Sequence, residues 1–452
     1  MFKNMRINTA LLNKLNSAFR AAGVKIGIKD DFITLDLSRV SALRLSGVKC
    51  AVYRILNNCE KDYFIKILGI APCLAPDAWD HFFYEGSYTE DLVRFSICRH
   101  CRFSRICPGL RKDLISVQSE FSPVPDAPTD IVFEITKKCN LRCNFCSHHG
   151  RGGVCDSIPF SVIRRVIDES RVLGIKNVRF TGGEPLLRPD LVQILRYAKT
   201  NGMTVFLNTN ATLLSARKIK MIEPFVDNVL VSIVGYNADS EDQLGAQGRF
   251  FKDKIENIRR LRKSNIPLVR IGTVISKLLL DRFDLYGRLV SALRPDAWEL
   301  YRPMIPGDSK DWLPYHHSLT SENYNDLLRH MDHFSRQGTR VYIANAFPFC
   351  AIKKSSHRIL LNGARFDDGH ERLVMDSEGF FKPSYFIAKN LGTFLLGAWK
   401  SRFMRKINAC DYLPLSCGKC RYLGWCRGGS RYLANVESGG YFEPDPFFKK
   451  IT

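Results

Sequence analysis

The stretch Ile131-Val-Phe-Glu-Ile135 runs straight into Thr136-Lys-Lys-Cys139-Asn-Leu-Arg-Cys143-Asn-Phe-Cys146. The apolar run reads as a buried strand. The loop that leaves it carries three cysteines at C-x3-C-x2-C spacing. Three thiolates on one short loop can hold three irons of a 4Fe-4S cluster, which ordinarily takes four protein ligands. The fourth iron then stays open, and an open metal position is where substrate chemistry takes place. The alternative is a zinc site or three buried thiols. Zinc sites pair one C-x2-4-C with a second C-x2-C or an H-x3-5-H, and no nearby pair completes that pattern. His148 and His149 adjoin the loop rather than standing at finger spacing; they are candidates for facing a substrate or, equally, a surface pair.

Outward from this stretch, strand and helix signals alternate. A helical pattern at Ser161–Leu173 precedes a β-rich run at Lys176–Thr181, and one at Asp190–Thr200 precedes Met203–Asn208. Asn228–Ile233 and Pro267–Ile275 read as strands around a charged helix near Asp253–Lys263. A helix at Asp284–Leu293 and a short strand near Trp298–Tyr301 follow. With Ile131–Ile135 this makes six β–α units, which close toward a barrel or form an open wound sheet. In such folds functional loops sit at the carboxyl ends of the strands, where the three cysteines fall.

Thr181-Gly-Gly-Glu-Pro185 follows the second strand, and Asn208-Thr-Asn210-Ala-Thr212 the third. Together with the cysteine spacing and Phe145 just before the last cysteine, these segments resemble the radical SAM superfamily. The resemblance implies a partial (β/α)6 TIM-like barrel. It also implies an open iron that chelates the amino and carboxylate groups of S-adenosylmethionine (SAM), and reductive cleavage to a 5'-deoxyadenosyl radical. Gly182, Gly183, Glu184 and Pro185 look like the family's GGEP motif, which contacts the amino group. Glycines let backbone carbonyls approach a ligand closely, and Glu184 would add negative charge near an ammonium. Asn210 and Ser232 fall where the family reads the ribose, although either could simply cap a helix. Two departures stand out. Relatives often show Ser-Ile-Asp-Gly where this chain has Ser232-Ile-Val234-Gly235, and an Arg-Gly pair at the place of Leu244-Gly245. Arg249 is the nearby candidate to replace that arginine.

Cys417-Gly-Lys-Cys420-Arg-Tyr-Leu-Gly-Trp-Cys426 is similar to the SPASM extension of peptide-modifying radical SAM enzymes, which binds auxiliary clusters. Asp376–Ser384 and Leu391–Trp399 fit its hairpin and helix. The full pattern has cysteines at Ser384 and Ser430, so one auxiliary cluster is expected rather than two. Its ligands would be Cys417, Cys420 and Cys426, with Cys410 as first choice for the fourth and Cys350 as second; a structural zinc is the alternative. Cys98-Arg-His-Cys101-Arg-Phe-Ser-Arg-Ile-Cys107 repeats the C-x2-C-x5-C spacing near the N-terminus. It is a candidate for another cluster, with Cys73 as fourth ligand, against zinc or no metal. Arg94, Arg99, Arg102, Arg105 and Arg111 surround it, either as a positive docking surface or as compensation for thiolates. Cys50, Cys59 and Cys155 have no ligand spacing and read as small buried apolar residues.

The chain has 452 residues, 15 cysteines and a formal charge of +22. Its length suits two or three domains, and its composition an ordinary globular protein. The Pro-rich segment 121–130 reads as a linker. It divides an N-terminal α/β module (1–120) from a barrel (131–310), followed by a cluster-binding extension (311–452). No apolar run reaches membrane length and the N-terminus has no secretory pattern, so the expectation is cytoplasmic. Bound thiolates would offset part of the positive charge. The remainder suits a peptide or protein substrate, a nucleic acid, or an acidic flavodoxin- or ferredoxin-like electron donor. The leading expectation is a radical SAM enzyme acting on a peptide or protein side chain. The alternatives are RNA or a small-molecule cofactor precursor as substrate, or a non-catalytic Fe–S electron-transfer or sensing protein.

Overall fold

The computed structural model describes Phe19 and residues 24–448, apart from 30, 60–62, 83–90, 104–106, 123, 144, 147–156 and 305–318. His148, His149, Cys155 and Arg105 therefore lie outside the described residues. The chain divides into two compact units, Met1–Asp126 and Ala127–Thr452, with the boundary inside the Pro-rich segment. Among the described residues no helix is long and apolar enough to cross a membrane.

In the first unit, β1 (Lys25–Lys29) and β2 (Phe32–Asp36) form an antiparallel hairpin. Helix α1 (Leu45–Cys59) then carries the chain over to β3 (Phe64–Leu68), which pairs parallel to β2 with Ile33 opposite Ile65. The apolar stripe of α1, Leu45, Val48, Val52, Ile55 and Leu56, packs on Ile33, Leu35 and Ile65, each side chain contributing about 1.5–3 kcal/mol by burial. Cys50 falls off that stripe and is exposed, so the buried reading of it fails; Cys59 is half-buried. A short antiparallel pair follows, β4 (Leu92–Val93) with β5 (Leu110–Arg111).

The second unit is built on one nine-stranded sheet. Its first six strands are β6 (Asp130–Glu134), β7 (Asn177–Thr181), β8 (Thr204–Thr209), β9 (Asn228–Ser232), β10 (Leu268–Val274) and β11 (Ala297–Tyr301). They lie side by side in chain order and all parallel. Helices α2 (Phe160–Val172), α3 (Leu191–Thr200), α4 (Ala216–Ile222), α5 (Ala238–Gln243), α6 (Phe251–Leu261) and α7 (Phe283–Leu293) fill the crossovers. The six units read from the alternating pattern are thus present, each strand within about two residues of its sequence limits. Ile131, Val132 and Phe133 are fully buried, which is why this strand reads as a continuous apolar run rather than an alternating one. On α2, Ile163, Val166, Ile167 and Ser170 form the buried face, a spacing that brings one helical stripe onto the sheet.

The sheet runs beyond the sixth strand. After α8 (Ser321–Ser335), β12 (Val341–Ile343) pairs parallel to β11. On the opposite side, β13 (Arg372–Met375) pairs parallel to β6 and turns back antiparallel into β14 (Phe381–Lys382). The strand order therefore ends at β12 and β14, as an open sheet rather than a closed barrel. Residues assigned from sequence to a separate C-terminal extension supply three of the nine strands. One reason the sheet takes them is a buried polar network. Arg270 on β10 pairs with Glu299 on β11, and Glu299 also accepts from Tyr301 and Tyr342 at 2.5 Å each. Arg270 holds the Glu299 carboxyl below its usual range against the opposing push of burial.

Candidate active site and cysteine centres

The three loop cysteines, Phe145, Gly182, Gly183, Asn210 and Ser232 all line one cavity of about 280 Å³ at the carboxyl ends of β6 to β9. The loop is tied to its neighbours by side chains. Asn140 donates to Thr212 at 2.7 Å and accepts from the Asn210 amide at 3.0 Å, and the Leu141 amide lies 3.4 Å from the Cys139 sulfur. Burial pushes the Cys143 thiol up to about 12; Cys146 adds to this and Lys254 opposes it. Cys139 is raised as well, first by burial. Thiols so disposed stay protonated until a metal displaces the proton. Three sulfurs on one loop, beside amide and hydroxyl groups that can bind a polar ligand, fit a cluster with one open iron and SAM beside it.

The glycines of the second strand's loop work differently from the sequence reading. Gly182 has φ +126°, and a Cβ there would stand 2.4 Å from the Thr136 carbonyl oxygen; at Gly183 it would stand 2.1 Å from the Lys138 oxygen. The Gly183 and Glu184 amides donate to those same two carbonyls at 2.7 Å. The close approach is thus to the cysteine loop's own backbone, and it fixes where Cys139 begins.

Glu184 is fully buried and, with Pro185, stays off the cavity wall. Its carboxylate accepts from the Leu186 amide (3.0 Å), the Thr209 hydroxyl (2.7 Å) and the Asn210 amide (2.8 Å). Burial raises its pKa while these bonds lower it. Its carboxylate joins the ends of β7 and β8, which sets Asn210 in place. Ser232, the last residue of β9, is exposed toward the cavity. Ala211 has φ +63°, so the alanine sits in a conformation where glycine costs nothing.

The two departures from the family pattern meet in space. Val234 and Leu244 share one buried apolar cluster with Ala246, against which Cys143 and Phe145 pack. A contact between apolar side chains stands where a carboxylate and a guanidinium were expected. Arg249 does not replace the arginine: it is exposed, donates to Gln247 at 3.1 Å and lies over the Phe250 ring. One cation at the cavity is Lys254 on α6, fully buried and paired with Glu241 of α5. Glu241 in turn accepts from the Val234 amide at 3.0 Å. Lys254 carried no motif in the sequence. Tyr301, Arg302, Asn345 and Tyr385, which also line the cavity, escaped notice too, although the first two follow from the rule that sites collect at strand ends. Arg302 is held by Asp445 through two bonds of 2.7 and 3.1 Å.

Near the C-terminus, burial pushes the Cys417 thiol up to about 11, and the neighbouring thiols add to this in the order Cys350, Cys420, Cys410. Cys426 is pushed up to about 12 by burial, again with Cys350 ahead of Cys420 among the thiols. The Phe349 amide lies 3.4 Å from the Cys426 sulfur, which draws the Cys350 segment onto the group. Cys410 ends a helix (Arg402–Ala409) at φ +55° with its sulfur 3.5 Å from the Ile407 carbonyl. Of the two candidates for a fourth ligand, Cys350 lies on the segment that this bond holds to Cys426. Ser384 and Ser430 are buried; Ser430 caps the helix Arg431–Ser438 and donates to Asp368 at 3.0 Å. In the first unit, Cys73, Cys98, Cys101 and Cys107 line a second cavity. Arg111 there is committed to the Ser38 and Val40 carbonyls and to Asp113, so it is part of the fold rather than a docking surface.

A parallel sheet with three loop thiols and polar groups gathered at its strand ends defines a SAM-dependent radical enzyme. Residues 133–283 match the Radical SAM superfamily; the chain carries a radical SAM domain and is a SAM-dependent enzyme. It is similar to the AdoMet-dependent heme synthase of Methanosarcina barkeri, 26% identical over 348 residues that span 71% of this chain and 96% of the relative. The PqqA peptide cyclase of Ruegeria pomeroyi is 30% identical over 163 residues, 35% of this chain and 42% of that protein. Among solved structures, Streptococcus suis SuiB bound to S-adenosylmethionine matches with a TM-score of 0.57 and 16% identity, over 71% of this chain and 76% of SuiB. Native anSMEcpe with bound AdoMet matches with the same score and identity, over 71% of this chain and 94% of the other. These two likenesses speak for the fold.

Proposed function

We propose that the chain modifies a side chain of a peptide or protein by hydrogen abstraction at the cavity above β6 to β9. The observation that carries this reading is the convergence of Cys139, Cys143, Cys146, Asn210 and Ser232 on one cavity. Cys139, Cys143 and Cys146 would hold a 4Fe-4S cluster with SAM beside it, and one electron from an external donor would then let that pair supply a 5'-deoxyadenosyl radical with release of methionine. The chain's own residues do the positioning: Gly182 and Gly183 seat the thiol loop, Glu184 sets Asn210, and the Ser232 hydroxyl faces the ligand. Lys254 and Arg302 put buried cations on the cavity wall, paired with Glu241 and Asp445. Cys417, Cys420, Cys426 and Cys350 would hold one auxiliary cluster with no open iron, suited to passing single electrons. The peptide preference is supported by the fold shared with SuiB and anSMEcpe and by the likeness to PqqA peptide cyclases.

A second reading, a small-molecule cofactor precursor as substrate, is favoured by one observation: the heme synthase likeness extends over 71% of this chain. The remaining proposals are an acidic electron donor for the basic chain, and a cytoplasmic location. Anaerobic, dithionite-reduced protein should release 5'-deoxyadenosine from SAM, and a fully iron-loaded sample that does not would sink both readings. Deuterium transfer into 5'-deoxyadenosine from a labelled peptide library rather than from a labelled porphyrin precursor decides between them.

A further inference from the structure

The first unit holds a thiol group that the barrel chemistry does not use. Its four cysteines come from separate segments. Cys73 lies in a short 3-10 turn, Pro72–Leu74; Cys98 lies in another, Ser96–His100, with Cys101 directly after it. Cys107 precedes β5. The hairpin of β4 and β5 returns Cys107 toward Cys98, and this return depends on Gly109, at φ +119°, where a Cβ would stand 2.5 Å from the Val93 carbonyl. The Ser122 amide donates to the Cys73 carbonyl at 2.8 Å, and the Arg102 amide to Val124 at 2.9 Å. These bonds bind the chain on either side of the thiols into one frame.

All four thiols line a single cavity of about 390 Å³, walled by Phe95, Phe103, Phe121 and Leu110, with Arg94 at its edge. Burial pushes the Cys73 thiol up to about 12, and Cys107, Cys101 and Cys98 all add to this, so the four sense one another. The backbone amides of Phe103 and Val124 hydrogen-bond the Cys101 sulfur, the kind of contact that tunes a sulfur-ligated iron centre. Zinc would draw its sulfurs to about 2.3 Å from one point. Here the four cysteines line a cavity of about 390 Å³, room for a body larger than a single ion.

We propose that Cys73, Cys98, Cys101 and Cys107 bind a 4Fe-4S cluster closed on all four irons, a centre that carries an electron and takes no substrate. Four sulfurs leave no iron open, in contrast to the three after β6. Apolar walls keep water from the cluster, and the Arg94 guanidinium offsets part of its negative charge.

The test keeps the first unit intact. In the full chain six of the other seven ligand thiols are replaced (Cys139→Ala, Cys143→Ala, Cys146→Ala, Cys417→Ala, Cys420→Ala, Cys426→Ala), which leaves Cys350 alone at its site, and the protein is reconstituted anaerobically with iron and sulfide. About four irons and four sulfides per chain should remain, with a reduced-state EPR signal that added SAM does not change. Adding Cys98→Ala and Cys101→Ala should remove them. No retained iron, one zinc ion in its place, or a signal that SAM perturbs overturns the proposal. If the sixfold variant does not fold, Cys98→Ala/Cys101→Ala in the otherwise unaltered chain should lose about four irons; iron content equal to the unaltered protein overturns it. Neither measurement depends on SAM cleavage, so the outcome stands apart from that of the proposed reaction.

Discussion

The thiols after β6 and the thiols near the C-terminus are alike in being partly buried, but their spacing and their surroundings differ. Cys139, Cys143 and Cys146 face a cavity with Asn210, Ser232 and Lys254 on its wall, groups that can hold a polar ligand against an open iron. Cys417, Cys420 and Cys426 gather a fourth sulfur, Cys350, from some seventy residues away in sequence. Their neighbours are rings and guanidiniums: Phe349 packs on Tyr422 at 5.5 Å, and Arg358 lies 4.8 Å over the same ring. The lesson is that the count of sulfurs and the polarity of what surrounds them, not cysteine itself, divide a site that reacts from one that conducts.

The sharpest way to break this contrast is Cys143→Ala. It should abolish 5'-deoxyadenosine release while leaving the C-terminal iron in place, measured as product and as iron per chain. Gly183→Ala comes next. Its Cβ would overlap the Lys138 carbonyl, so the loop must shift; a stability loss on the order of 3 kcal/mol or more is expected, together with loss of the loop's iron, by chemical denaturation and iron assay. Cys350→Ala should remove about four irons, whereas Cys410→Ala should keep them; the reverse result would restore Cys410 as the fourth ligand. Glu184→Gln keeps the shape but turns one acceptor into a donor against the Leu186, Thr209 and Asn210 donors. It should cost about 1–3 kcal/mol and weaken SAM binding through Asn210, read by calorimetry. The smallest effect is expected at Ala211→Gly. Relief of the left-handed backbone and loss of a buried methyl oppose each other, leaving stability within about 1 kcal/mol of the parent. A larger loss would mean that the methyl contact outweighs the backbone strain.

Much of this was legible from residue order because the barrel strands are covered on both faces and so read as apolar runs, with loops that announce strand ends. The thiol loop, Asn210 and Ser232 could be placed by counting strands. Glu184 could not: its three donors come from residues 186, 209 and 210, and only the fold shows that it is buried off the cavity wall. The pairing of Val234 with Leu244 and the burial of Lys254 against Glu241 were hidden for the same reason, since each joins positions ten or more apart through packing alone. Cys350 was ranked second because sequence distance stood in for spatial distance. A hairpin was read at Asp376–Ser384, where β13 turns into β14, but its pairing with β6 was not; β12 escaped notice because three residues give too short a pattern to read.

Ser430 ties the C-terminal region together at one atom. Its hydroxyl caps a helix through the Leu433 amide at 3.2 Å and donates to Asp368, and around it Met304, Ile387, Tyr432 and Leu433 close an apolar cluster. A thiol is a weaker donor and acceptor than a hydroxyl, so cysteine at this position would exchange a firm helix start for a sulfur. The same atom cannot serve well as cap and as ligand.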